Sequence, residues 1–328
     1  MLLQRIDRFK ANRHGVAAFH SIRGYRFPRM IVSGWLWIVF TLIAAAAQTA
    51  RNAMQRELTV TLGTVGATHV RFLFGFPFAL LFFAGVLVVT GKPVPHPPAV
   101  FWLWVAGASF AQVVATALML AAMGERSFVV AIAYIKTEPV QVALFGLVVL
   151  GDRLTLPIAL AILIATAGVV LMSLKPGAAA QVSAKPTLIG IGSGTMFALS
   201  AICYRGAILS LDNPDFVLTA TLTLVVGLTL QAALLSLYLA LRDPDVLRAI
   251  VKAWRPSLFA GFLGALASQF WYLGFAIATA ASVRTLALVE VLMAQAVSRF
   301  VFKQPTSPRE AAGIVLIVAG VLLLLWAH

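Results

Sequence analysis

The chain has 328 residues, of which 61% are hydrophobic and 11% charged, and its mean hydropathy is +0.96. A soluble domain of this length cannot hide so much apolar surface, so the bilayer is the expected solvent. The formal charge of +14 does not point to nucleic acid: seven Lys or Arg stand in the first thirty residues, and most of the others flank apolar segments.

About twenty apolar residues cross a bilayer as a helix. Ten segments meet that requirement: 33–51, 70–90, 99–123, 127–150, 156–174, 187–209, 216–241, 257–280, 282–302 and 310–327. Turn and charge signals separate most of them. GKPVPHPP (91–98) precedes the third, GDRLTLP (151–157) the fifth, RDPDVLRAIVKAWRP (242–256) the eighth and KQPTSPRE (303–310) the tenth. The breaks at MGERS (123–127) and around Thr279–Ser282 are weaker. Backbone polar groups in hydrocarbon must be satisfied within each segment, so the expected fold is an all-α polytopic membrane protein. Small residues let such helices approach closely, and Gly190, Gly192, Gly194, Gly261 and Gly264 are suited to that role.

An internal repeat organises these spans. Residues 161–174 return at 313–326 with five of fourteen positions identical, an offset of 152. The same offset places Trp102 on Trp254, Phe110 on Phe262 and Glu138 on Glu290. The chain divides into a basic N-terminal arm (1–32), a first five-helix repeat (33–174), a polar linker (175–186) and a second repeat (187–328). An odd number of spans per half inserts the halves in opposite senses, which predicts two inverted five-helix repeats with a site between them. The basic arm favours a cytoplasmic N-terminus and an uncleaved first span, and ten spans return the C-terminus to the same side. The basic residues of 242–256 and 303–310 oppose that orientation.

The densest chemical signal is Tyr134-Ile135-Lys136-Thr137-Glu138-Pro139, near the middle of the fourth span. A charge at the centre of a membrane helix costs about 2.5–3.5 kcal/mol, so Lys136 and Glu138 are expected to face protein or a wet cavity. Residues two apart point about 200° away from each other, so the two need different partners. Pro139 has no N–H and frees the Ile135 carbonyl at a kink. A freed carbonyl, the Thr137 hydroxyl and two charges suit a substrate site; the competing role is a polar network that locks helices together.

Glu290 occupies the same level in span nine, either sharing a central cavity with Glu138 or ion-paired to a nearby cation. Arg205, Gln269 and Trp271 complete the substrate-binding candidates, with Trp271 also readable as packing bulk. Gating candidates are Pro139, Arg51 and Arg284. Arg51 and Arg71 stand close to predicted span ends, where long basic side chains commonly snorkel to the interface. Arg51, Arg71, Lys136, Arg205 and Arg284 exceed the two glutamates by three charges, a lean toward an anionic or zwitterionic substrate, amino-acid-like molecules included.

Two five-helix halves, Glu138-Pro139, the turn Gly151-Asp152-Arg153-Leu154-Thr155 and Gly168 in the fifth helix resemble EamA-type members of the drug/metabolite transporter superfamily. The resemblance covers about residues 33–327 and implies a carrier working by alternating access without a cofactor. It implies an inner-membrane location and a small-molecule substrate. Glu138 and Glu290, either of which can bind and release a proton during transport, make the proton a candidate coupling ion. The sequence departs from the family pattern at Asp152, where Glu is usual, at Lys303-Gln304, and at Val291, where proline is expected. A lipid or amphiphile flippase on the same scaffold is the alternative. A membrane-embedded enzyme ranks below both, because no nucleophile–base pair or metal-ligand cluster stands at membrane level.

Overall fold

The computed structural model describes residues 34–123, 134–173, 184–300, 303 and 306–328. The N-terminal arm (1–32), the beginning of the fourth predicted span and residues 175–183 of the linker lie outside these residues, while 184–186 belong to the following helix. The described chain is helical, with no strand among its residues. Its helices are α1 (Leu36–Leu73), α2 (Gly75–Thr90), α3 (Ala99–Met123), α4 (Glu138–Phe145), α5 (Leu156–Ser173), α6 (Ala184–Ser210), α7 (Phe216–Arg242), α8 (Pro244–Lys252), α9 (Trp254–Ile277), α10 (Ala280–Leu286), α11 (Val289–Phe300) and α12 (Pro308–Ala327). Seven helical stretches in this set are long and apolar enough to cross a membrane. Large apolar side chains stand exposed on nearly every one of them, among them Leu81, Val88, Leu103, Leu163, Leu188 and Leu322. That surface requires lipid as its solvent.

The first stretch departs from the sequence expectation. No loop separates residues 51 and 70; the helix runs on to Leu62 and folds back at Gly63, whose φ of 66° and ψ of 176° lie in a region essentially reserved for glycine. In a straight helix, residues twelve apart are about 18 Å from each other. Here Gln55 Nε2 donates to the Ala67 carbonyl at 2.9 Å, which only a reversal permits. Hydropathy stops at residue 51 because Asn52, Gln55, Arg56 and Glu57 are polar, yet Gln55 is fully buried inside the hairpin.

Two further expectations are corrected. The segment 242–256 is not a loop but carries helix α8, started by Asp243, which accepts from the Val246 N–H at 3.3 Å, and by Pro244 in its first turn. The ninth predicted span is broken: α10 ends at Leu286 and α11 begins at Val289. The start of α12, by contrast, follows its sequence signal, with a reciprocal box in which Glu310 N–H donates to Ser307 Oγ and Ser307 N–H to Glu310 Oε2.

The most extensive helix contacts are α1 on α9, α3 on α6, and α5 on α12. Under the 152-residue offset α1 maps onto α6 and α3 onto α9, so the first two contacts exchange and the third maps onto itself. Close approach depends on glycine where backbones meet. A Cβ at Gly320 would stand 2.6 Å from Ala165 N, and one at Gly168 2.7 Å from the Gly313 carbonyl, so α5 and α12 pack backbone to backbone. Gly261 does the same against Phe74 and Gly75, whereas a Cβ at Gly192 would meet Leu118 at an ordinary 3.6 Å.

Candidate functional site

Both halves interrupt a helix at the same level. After Tyr134 and Ile135 the chain turns through Lys136 and Thr137, and α4 restarts at Glu138. The turn is closed by Thr137, whose N–H and hydroxyl both donate to the Tyr134 carbonyl, at 3.1 and 2.6 Å. Pro139 lies in the first turn of the new helix, where its missing N–H costs nothing, so the chain restarts here instead of kinking. The Ile135 carbonyl abuts α6 at Gly194, where a Cβ would come within 3.3 Å of it. In the second half the restart falls at Ala287–Leu288 without a proline, held by short bonds from Leu288 N–H to Thr285 O and from Glu290 N–H to Ala287 O. Each glutamate thus stands in the first turn of a helix, where the aligned peptide dipoles favour a negative charge.

The charges then pair crosswise between the halves. Lys136 forms an ion pair with Glu290. Arg284 Nε lies 3.0 Å from Glu138 Oε1. Lys136 and Glu138, two residues apart, take separate partners, each supplied by the other half. Arg284 also lies over the Trp271 ring, 4.4 Å from its centroid, and Trp271 donates its indole N–H to Gln48 Oε1 at 3.1 Å.

A cavity of about 540 Å³ opens on this crossing, lined by Arg51, Lys136, Glu138, Arg284 and Glu290. Helix α1 adds Gln48, Thr49 and Asn52, while Met119 from α3 and Phe197 from α6 give it an apolar side. Gln48, Arg51, Asn52 and Gln55 form one helical stripe at spacings of three and four. The stripe is legible in the sequence but straddles residue 51, where hydropathy places the end of the first span. Since α1 continues to Leu62, Arg51 is interior rather than terminal; it is 1% exposed and does not snorkel. Arg71 is buried as well, donating to Thr116 Oγ1 at 3.1 Å and Ser268 Oγ at 3.4 Å. Both arginines pass over Gly264, where a Cβ would stand 3.0 Å from Arg71 Cγ and 3.5 Å from Arg51 Cδ.

The remaining candidates lie apart from the cavity. Arg205 Nη1 donates to the carbonyls of Phe275 and Ala278, and its Nη2 lies 3.3 Å from Asp152 Oδ1. It therefore caps the C-terminal end of α9 and anchors the Gly151 turn, where φ is 68°. Gln269 donates to Thr221 Oγ1 at 2.8 Å and faces α7. Thr137 receives Gln141 Nε2 at 3.4 Å, and Tyr134, half-buried, contributes its carbonyl to the turn.

Comparison with known proteins agrees with this architecture. A solved structure described only as "Crystal structure of protein" superposes with a TM-score of 0.63 over 88% of this chain and 99% of its own, at 17% identity, which speaks to fold alone. In all, 27 solved chains match. No curated protein matches the sequence. The sequence pattern of the EamA-like transporter family matches twice, over residues 35–174 and 185–326, and together these segments span most of the molecule. The chain is a multi-pass membrane protein that belongs to the EamA-like transporter family of the drug/metabolite transporter superfamily.

Proposed function

We propose that the protein is a secondary transporter of a small anionic or zwitterionic metabolite, carried across the inner membrane by alternating access. The observation that carries this reading is the crossing of Lys136–Glu290 and Arg284–Glu138 at a cavity, with each pair joining the two halves. A membrane-level charge pair that spans two mobile halves can break and re-form as the cavity changes sides. Arg51, Arg56, Lys136 and Arg284 outnumber the two carboxylates along the cavity, which favours a negatively charged guest. Tyr134, Thr137 and Pro139 shape the turn that presents Lys136 and Glu138. Gln48 and Trp271 position Arg284. A glutamate that exchanges its partner for a proton would couple transport to the proton gradient.

The layout is ten helices in two inverted repeats, residues 33–174 and 187–328, with both termini cytoplasmic. Its support is the exchange of helix contacts under the 152-residue offset. Counting Leu36–Thr90 as two passes, and the broken segments around Glu138 and Glu290 as one each, brings the seven long apolar stretches to ten.

The test is thermal stabilisation of the purified chain, with uptake into proteoliposomes, against metabolites grouped by charge. A ligand that binds only the folded state raises its apparent stability. Anionic or zwitterionic compounds are expected to stabilise the parent and not Lys136→Ala. Stabilisation by lipid-like amphiphiles alone would move the assignment to a flippase.

A further inference from the structure

Resting on that transport function, we infer that Arg51 recognises the anionic group of the substrate, and that the substrate is an organic monocarboxylate with an apolar body. Arg51 lines the cavity and is almost wholly buried, yet among the described residues its Nε and Nη1 have no hydrogen-bond partner. Its Nη2 donates to Asn52 Oδ1 at 2.6 Å. Among the described residues no carboxylate pairs with it, in contrast to Lys136 and Arg284. A buried donor without an acceptor is unfavourable, more so on an ionised group. A guanidinium left in that condition beside a cavity is suited to an acceptor that arrives with the ligand. With Nη1 unengaged by those residues and a second hydrogen left on Nη2, the two can grip both oxygens of one carboxylate.

Gln48, Thr49, Asn52, Arg56 and Ser173 give the cavity a polar side around Arg51, and the wall apart from them and from the crossed charges determines what the carboxylate is attached to. Met119, Ile135, Phe197 and Val291 line the same cavity from α3, the turn before α4, α6 and α11. These four side chains offer no hydrogen bond to a sugar, a nucleotide or a second charged end. A multiply hydroxylated or doubly charged guest would leave polar groups unpaired against them, whereas a branched or aromatic body would not. A cavity of about 540 Å³ is within the range that encloses a small organic ligand.

The experiment measures thermal stabilisation of the purified full-length chain by four probes: phenylacetate, its neutral amide phenylacetamide, succinate and inorganic phosphate. Phenylacetate is expected to raise the melting temperature saturably, the other three hardly at all. Arg51→Gln should weaken phenylacetate binding by about ten- to a hundredfold, the loss of a charge-assisted contact. Arg51→Lys should restore part of it, because lysine keeps the charge and loses the fork. Without ligand, Arg51→Gln should melt no lower than the parent, since it removes an unpaired buried charge; this separates loss of recognition from loss of fold. Preferential stabilisation by succinate or phosphate overturns the monocarboxylate assignment and leaves an anion transporter. Equal phenylacetate binding by parent and Arg51→Gln overturns the role of Arg51, again without touching the transport function. If no anion stabilises the parent, the inference falls together with the charge assignment of the substrate.

Discussion

The crossed ion pairs make a quantitative prediction. Lys136→Met removes the partner of Glu290, whose side chain is 9% exposed, while the lysine side chain itself is 22% exposed. Removing one member of a buried pair leaves an uncompensated charge and costs about 3–5 kcal/mol, with the lower end expected because water reaches part of Lys136. Glu290→Gln strands the ammonium instead and should cost about 2–3 kcal/mol, for the same reason of partial access. The double variant Lys136→Met/Glu290→Gln leaves no stranded charge and should lie within about 1 kcal/mol of the parent. The coupling in this double-mutant cycle is then about 4–6 kcal/mol, read from denaturant or thermal unfolding of the purified protein. The variant in which the pair is exchanged, Lys136→Glu/Glu290→Lys, tests orientation and should recover part of the stability. Near-additive single losses would refute the argument, since they would mean that the two groups do not sense each other. A double variant that is stable but inactive in uptake would separate the role of the pair in transport from a purely structural one.

Other substitutions test the fold around the site. Gly63→Ala should destabilise the protein by about 1–3 kcal/mol, because an L-residue is strained at the reversal of α1; an unchanged unfolding midpoint would contradict the backbone geometry. Gly320→Val should cost about 1–3 kcal/mol or more by forcing α12 off α5, whereas Gly192→Ala should be tolerated, the two compared by melting temperature. Asp215 caps α7 outside the membrane, accepting from Val217 and Leu218 N–H at 3.1 and 3.0 Å and from Lys92 at 2.9 Å. Partial burial pushes its carboxyl up, but the bonds from Lys92 and the two backbone N–H groups outweigh this and hold it below its ordinary 3.8. Its stabilisation is therefore complete above pH 3.8 and is lost as pH falls through the lower folded value, so the parent should lose its advantage over Asp215→Asn only in that acid window. A parent and variant that respond identically to acid would contradict this.

The sequence determined the membrane class, the two related segments and the level of the central charges. These follow from local quantities: apolar length, a fixed offset between similar segments, and ionisable residues too costly to leave in lipid. Lys136 and Glu138 could be assigned different partners from helix geometry alone, because residues two apart diverge. Only the tertiary structure decided who those partners are, since Lys136 and Glu290 are 154 positions apart and meet only through packing of the two halves. The burial of Arg51 is a tertiary outcome for a related reason. Hydropathy ends a span where polar residues begin, but α1 continues past Arg51 and buries its polar stripe against the hairpin and the cavity. Arg205 stands among apolar neighbours in sequence, as a residue facing a cavity within the membrane would, whereas its guanidinium reaches the end of α9, a feature that exists only once the helices are assembled. A helix end and a cavity are both tertiary objects, and one residue's hydropathy cannot tell which of them its side chain will meet.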